Sequence, residues 1–116
     1  MQITTRIPDE ALVVRGGKNQ PRDIQRGTGT HPSGISGISV ESADDISVAE
    51  LAKTIPHKQV GVSTAAAIRK AGGDVVRTTG RSPCHATLTG LTPEQASKLL
   101  TPTLPKHTQH LSLIHI

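Results

Sequence analysis

The chain has 116 residues and a formal net charge of +4 at pH 7, and it contains no Phe, Tyr or Trp. This is the length of one domain, and its core must be built from aliphatic side chains. A single cysteine excludes an internal disulfide and hence a small disulfide-braced secreted scaffold, while no apolar run approaches the roughly 18 residues of a membrane helix. We expect no membrane partner, and either a cytoplasmic protein or a module delivered into a target cell within a larger protein.

The first apolar segment, residues 11–14, predicts a buried strand that ends at two glycines. Residues 18–37 follow and are rich in Gly, Pro, Ser and Thr, with few apolar positions. This composition predicts a long loop, and loops of such length in a compact domain are usually functional or mobile. The alternation of Ile38 and Val40 then indicates a half-exposed strand.

Three short helices are predicted from their capping residues. Each begins with a hydroxyl side chain that can accept a backbone hydrogen bond, and each carries apolar residues at helical spacing. The helices cover about residues 48–55, 65–71 and 93–100, with N-caps at Ser47, at Ser63 or Thr64, and at Thr92. Pro56 stops the first helix, and Gly72 begins the glycine pair that ends the second.

Residues 74–78 and 85–89 are rich in β-formers and are separated by an irregular turn, so they predict two adjacent antiparallel strands. Residues 60–62 indicate another short strand. Together these elements predict one α+β domain over residues 1–104, with a small, mostly antiparallel sheet and two or three short helices on one face.

The last six residues, LSLIHI, resemble the translation of a transposon-end adapter used in sequencing libraries. The resemblance implies that residues 111–116 are artefactual and that the natural C-terminus lies beyond the cut. We therefore expect residues 105–116 to be a tail without functional weight. The alternative is a natural apolar tail that forms an edge strand.

Positive charge is concentrated in two runs, and such a distribution favours an acidic partner, most commonly nucleic acid. The alternative is a solvated surface that keeps the protein soluble. On the first interpretation, the candidate nucleic-acid-binding residues are Arg15 and Lys18 in the early run and Arg69 and Lys70 in the later one.

His85 is the leading candidate for catalysis. It begins a strand directly after an arginine-bearing turn, where a loop can present a side chain and a strand can hold it. An imidazole can act as general base toward a ribose 2′-hydroxyl, while Arg77 or Arg81 neutralises a phosphate. Thr87 points to the same face two residues later and is a further candidate of the site, where its hydroxyl can hydrogen-bond the same ligand. The alternative is a strand-end histidine paired with a backbone carbonyl.

Other chemistry has less support in the sequence. Cys84 precedes His85, but adjacent strand residues leave on opposite faces, which argues against a nucleophilic dyad. The glycine-rich segments lack the Gly-Lys-Ser/Thr of a phosphate loop. The histidines are scattered or lie in the doubtful tail, so neither a metal site nor a cofactor is predicted.

The segment Val13-Val-Arg-Gly16 resembles the first motif of ADP-ribosyltransferases, in which an arginine contacts the dinucleotide. Ser39 is comparable with the serine-bearing strand of that family. This resemblance implies NAD-dependent transfer that relies on Arg15. That family usually has a late catalytic glutamate and aromatic residues that stack the nicotinamide. This chain departs from the pattern, because it has no Phe, Tyr or Trp and its only late acid, Glu94, lies in the first turn of a predicted helix, where the helix dipole favours an acid.

Residues 63–100 are similar to small bacterial RNA-cleaving toxins, including HicA-type mRNA interferases and the RNase modules that end polymorphic toxins. In HicA-type proteins a helix, a strand, a Gly-Ser-His turn, a strand and a closing helix follow each other, and residues 80–85 are the comparable turn. The resemblance implies a metal-independent endoribonuclease with His85 as its catalytic residue. Its partners would be RNA and a cognate antitoxin or immunity protein.

The sequence therefore supports three hypotheses about function. The first is an RNA-directed, toxin-like enzyme, and the second is an NAD-dependent transferase. The third is a non-catalytic binding module, such as an antitoxin, an immunity protein or a nucleic-acid adaptor.

Overall fold

The computed structural model describes residues 6–78 and 82–106. The elements in chain order are β1 (Leu12–Gly16), α1 (Pro21–Gly27), β2 (Gly29–Thr30), β3 (Ser36–Ala43), α2 (Val48–Ala52), β4 (Gln59–Thr64), α3 (Ala65–Lys70), β5 (Asp74–Arg77), β6 (His85–Thr89), α4 (Pro93–Leu99) and β7 (Leu104–Pro105). No helix within these ranges is long and apolar enough to cross a membrane.

The strands form one sheet in the order β5-β6-β3-β1-β4-β7, and β2 pairs separately with β3. Every described pairing is antiparallel. The predicted hairpin of β5 and β6 is present, with Val75 opposite Leu88. The predicted α+β fold with a mostly antiparallel sheet is thus confirmed.

Strand alternation gives the sheet two apolar faces, which we name by what covers them. The three-helix face carries side chains such as Val13 and Ala86, and α1, α3 and α4 pack on it. The α2 face carries Val14 and Val60, and α2 packs there. His85 alternates with Ala86 along β6, so its side chain leaves on the α2 face.

The predicted helix N-caps are present. The hydroxyl oxygens of Ser47, Thr64 and Thr92 each accept the amide hydrogen of the residue three positions later, at 3.1, 3.1 and 3.2 Å. These bonds satisfy amide donors that have no partner within the helix. Local sequence signals therefore determined where these three helices begin.

The prediction of a loop over residues 18–37 is wrong, because this region contains α1, β2 and the start of β3. Pro21 occupies the first turn of α1, and the Asp23 carboxylate accepts the backbone N–H of Gln20 at 3.1 Å. Ile24 is the only buried residue of α1, so the helix has no hydrophobic period that a sequence pattern would reveal.

The first two residues of the predicted tail contact the folded domain. Leu104 and Pro105 pair with β4, and the Lys106 ammonium group donates to the carbonyl oxygen of Ile55 at 2.6 Å. The folded domain therefore extends at least two residues past the predicted boundary. The remainder of the predicted tail, 107–116, lies outside the described residues and includes the adapter-like segment.

Arg69 ties the N-terminal segment to β5. Its guanidinium group donates to the Asp74 carboxylate at 2.8 Å and pairs with Asp9, and its side chain is 15% exposed. Burial lowers the pKa of Arg69, but the bonds to Asp74 and Asp9 outweigh that effect and raise it. Burial likewise acts to raise the pKa of Asp74, yet the bonds from Arg69 and the Val75 amide lower it overall.

Arg69→Gln is expected to lower the free energy of unfolding at pH 7 by about 1 kcal/mol, the upper end for pairs with exposed carboxylates. A carboxyl group whose folded pKa is lowered stabilises the fold above its unfolded pKa, and that stabilisation is lost as the pH falls through the folded pKa. The difference between variant and wild type should therefore shrink below about pH 4. Urea unfolding at several pH values measures this difference in stability. The control is Lys70→Gln, at the exposed neighbouring position, which should be as stable as wild type. Equal stability of Arg69→Gln and wild type at pH 7 would contradict this role.

Candidate active site

His85 is held in one orientation by the end of β5. Its Nδ1 lies 2.6 Å from the carbonyl oxygen of Thr78 and 3.2 Å from the Thr78 hydroxyl. A carbonyl oxygen can only accept, so Nδ1 carries the hydrogen and Nε2 of the neutral ring keeps its lone pair. The pairing of a strand-end histidine with a backbone carbonyl is therefore real, and it leaves Nε2 as a proton acceptor.

A second imidazole, that of His31, lies beside His85, with ring centroids 5.9 Å apart and planes inclined by 30°. The backbone N–H of Ser33 donates to Nδ1 of His31 at 3.0 Å. An amide N–H can only donate, so Nδ1 holds a lone pair and the neutral ring carries its hydrogen on Nε2. The two neighbouring rings thus have opposite functions. Nε2 of His85 accepts a hydrogen bond or proton, whereas Nε2–H of His31 donates a hydrogen bond.

His31 reaches His85 because the hairpin of β2 and β3 folds over the α2 face. It begins the turn between these strands, where its N–H donates to the carbonyl oxygen of Ile35 at 2.8 Å. Beneath the turn lies a cleft of about 170 Å³, lined by both imidazoles together with Gly27, Gly29, Thr30, Gly37, Ser39 and Thr87. The pairing of His31 with His85 was not predicted, because no sequence pattern links two histidines this far apart in the chain.

A larger cavity of about 690 Å³, here called the histidine cavity, is also lined by His31 and His85. Its polar residues include Glu41, whose Cα is opposite that of His85 in the β3–β6 pairing. The Glu41 carboxylate accepts a hydrogen bond from the Ser82 hydroxyl at 2.8 Å. The apolar wall comprises Ile46, Leu51, Ile55, Pro56 and Pro83. This volume and lining are typical of a small-ligand site.

Thr87 lies on the same face as His85, but it is only 4% exposed. Its hydroxyl is 2.8 Å from that of Thr78, which in turn contacts His85. This buried chain of hydroxyls fixes the end of β5 against β6. Thr87 is therefore a positioning residue, although its side chain also lines the cleft.

The Arg77 guanidinium group donates to the backbone carbonyl oxygen of His85 at 3.4 Å and makes no described hydrogen bond to the His85 imidazole. Arg77 is opposite Ala86, whose side chain lies in the three-helix core, so it leaves the sheet on the other face. Its guanidinium group donates to the carbonyl oxygen of Ser42 at 2.8 Å, and burial lowers its pKa despite the nearby Cys84 and Glu41. The hydrogen bond to Ser42 joins the end of β5 to β3. Arg81, the other predicted phosphate-neutralising residue, lies outside the described residues.

The four residues predicted to bind nucleic acid separate into two places. Arg69 and Lys70 belong to α3 on the three-helix face, and the charge of Arg69 is balanced by two carboxylates. Arg15 and Lys18 line a second cavity near the end of β1. Arg69 therefore has a structural role. Arg15 and Lys18 remain candidates for binding an anion.

Cys84 precedes β6, so strand alternation does not apply to it, and both Cys84 and His85 line the histidine cavity. The prediction that the Cys84 and His85 side chains leave on opposite faces is therefore wrong. Burial nevertheless raises the pKa of the Cys84 thiol, an effect that the charge of Arg77 only partly offsets. A thiol with a raised pKa is a poor nucleophile at neutral pH.

Neither a metal-ligand set nor the transferase arrangement is assembled in the described ranges. No three His, Cys, Asp or Glu side chains in residues 6–78 and 82–106 lie close enough together to bind a metal ion. Glu94 begins α4 on the three-helix face, whereas Ser39 lines the cleft on the α2 face. Of the residues considered in the comparison with ADP-ribosyltransferases, Ser39 and Glu94 thus belong to different faces of the sheet.

Comparison of the chain with protein-family models, curated proteins and solved structures finds no significant match. The two imidazoles, their backbone partners and the cavities around them are therefore the features of the molecule that bear on its function.

Proposed function

We propose that this protein is a metal-independent endoribonuclease and that His85 is its general base. The observation that carries the proposal is the 2.6 Å contact between Nδ1 of His85 and the Thr78 carbonyl, which leaves Nε2 to accept a proton. A general base oriented by a backbone acceptor is the arrangement that proton abstraction needs. The second imidazole beside it, with the opposite function, supports the same chemistry.

In the proposed step, Nε2 of His85 takes the proton of a ribose 2′-hydroxyl, and the 2′-oxygen attacks the adjacent phosphorus. The bond from phosphorus to the 5′-oxygen breaks, and the leaving 5′-oxygen takes a proton from water. The products are a 2′,3′-cyclic phosphate and a 5′-hydroxyl. Nε2–H of His31 donates to a non-bridging phosphate oxygen, where negative charge grows in the transition state.

The histidine cavity supplies a place for the nucleobase next to the scissile phosphate. Its apolar wall covers a flat ring, and the Glu41 carboxylate offers acceptor oxygens for base N–H groups. The chain has no aromatic residue for base stacking, so aliphatic and proline side chains take that place. The net charge of +4 favours a polyanionic substrate. An enzyme of this kind requires an inhibitor in the producing cell, so the proposal includes a cognate antitoxin or immunity protein.

The test is incubation of the purified protein with an end-labelled single-stranded oligoribonucleotide in excess EDTA. The proposal predicts cleavage with 2′,3′-cyclic phosphate and 5′-hydroxyl ends. RNA that is bound but left intact would instead favour the non-catalytic module. Transfer of label from radiolabelled NAD to protein or nucleic acid, without RNA cleavage, would favour the transferase.

A further inference from the structure

A second cavity, of about 530 Å³, carries a concentration of positive charge. It lies where the end of β1, helix α1 and the segment before β4 meet. Its cationic or titratable residues are Arg15, Lys18, Arg26, His57 and Lys58, and among the described residues Asp23 is the only carboxylate that lines it. We call it the basic cavity.

Arg15 is the most unusual member of this group. Its guanidinium group donates to the Asn19 side-chain oxygen at 2.9 Å, and Asn19 is fully buried and donates back to the Arg15 carbonyl at 3.0 Å. Burial lowers the pKa of Arg15, and only the more distant charge of Asp23 opposes this effect. Within the described ranges no carboxylate lies at ion-pair distance from Arg15, and its Nε has no hydrogen-bond partner.

A partly buried cation without a counter-charge is costly, and an anion that enters the cavity relieves that cost. Two glycines let the main chain pack closely at this site. A Cβ at Gly27 would collide with the Arg15 guanidinium group, and a Cβ at Gly16 would collide with Cγ2 of Ile55 and lie 2.7 Å from Cδ2 of His57. The main chain at Gly27 therefore lies directly against the Arg15 guanidinium group.

We propose that the basic cavity binds a phosphate group, either a phosphodiester of an RNA strand or the phosphate of a free nucleotide or pyrophosphate. The cations around this cavity come from separate elements of the fold. A phosphate group, which has several charged oxygens, can contact more of them at once than a single carboxylate group can. Gly27 lines both the basic cavity and the cleft beside His85, so the two spaces adjoin. A strand cleaved at His85 therefore has a neighbouring phosphate within reach of Arg15 and Arg26.

The RNA part of this inference rests on the proposed function, whereas phosphate binding itself does not. The experiment is calorimetric titration of pyrophosphate, and separately of a 2′-deoxy oligonucleotide that cannot be cleaved, into wild type and two variants of α1. Arg26→Gln removes a cavity residue, while Arg22→Gln removes an exposed arginine of the same helix that does not line the cavity. Both positions are exposed, so both variants should fold.

For pyrophosphate, Arg26→Gln is expected to raise the dissociation constant about five- to tenfold, and Arg22→Gln to leave it unchanged. For the oligonucleotide, Arg26→Gln should reduce the slope of log K against log salt by about 0.7, the value for one lost contact with a single strand. Pyrophosphate binding that depends on Arg26, with oligonucleotide binding that does not, would identify a free phosphate as the ligand. Absence of pyrophosphate binding, or equal effects of the two variants, would overturn the proposal even if the protein cleaves RNA.

Discussion

Replacing His85 by asparagine is expected to reduce the rate of RNA cleavage by roughly 10²- to 10⁴-fold, the usual contribution of a general base. The asparagine amide N–H can still donate to the Thr78 carbonyl, as Nδ1 of His85 does at 2.6 Å. The variant therefore keeps the local structure and loses only the proton acceptor at Nε2. Initial rates on an oligoribonucleotide in EDTA, with thermal unfolding of each variant, measure both effects.

His85→Ala serves as the comparison, because it loses the base and also leaves the buried Thr78 carbonyl without its partner. It should be as inactive as His85→Asn but less stable. Lys98→Gln, an exposed substitution on the three-helix face, should retain the wild-type rate. If His85→Asn folded normally and cleaved within fivefold of wild type, His85 would not be the base.

Gly37→Ala is expected to destabilise the fold by about 2 kcal/mol or more, because overpacking against backbone cannot be relieved by a rotamer change. A Cβ at this position would collide with the carbonyl group of Leu88 and lie 2.9 Å from Cγ2 of Thr87. Relief requires the hairpin of β2 and β3 to move away from β6. His31 would then separate from His85, so RNA cleavage should fall as well.

Gly29→Ala is the matched control for this substitution. Gly29 is opposite Gly37 in the β2–β3 pairing, and no atom lies within 4 Å of a Cβ built there. Urea unfolding should show a large loss for Gly37→Ala and little change for Gly29→Ala. Equal effects of the two substitutions would mean that the hairpin does not pack against β6 as described.

Elements with local signals could be predicted from the sequence. Ser47, Thr64 and Thr92 cap helices where hydroxyl residues and apolar spacing indicated them, and the hairpin of β5 and β6 follows from its two β-rich segments. Helix α1 could not be predicted from periodicity, because Ile24 is its only buried residue. Its proline and capping box were the available signal.

The candidate site could be predicted only in the part that is local in sequence. His85 and Thr87 belong to one strand, and their common face follows from alternation. Glu41 and His31 reach His85 through the pairing of β3 with β6, which joins segments more than 40 residues apart. The β5–β6 register places Arg77 opposite Ala86 and so on the three-helix face, which the composition of the turn does not reveal.

The most direct test of the account uses a DNA oligonucleotide that contains a single ribonucleotide, incubated with the protein in EDTA. A general base that acts on a 2′-hydroxyl predicts cleavage at one bond, directly 3′ to the ribonucleotide, with a 2′,3′-cyclic phosphate end. Wild type should make this cut, and His85→Asn should not. Cleavage at deoxyribonucleotide positions, or an intact strand with folded wild-type protein, would contradict the assignment of His85 as the base of an endoribonuclease.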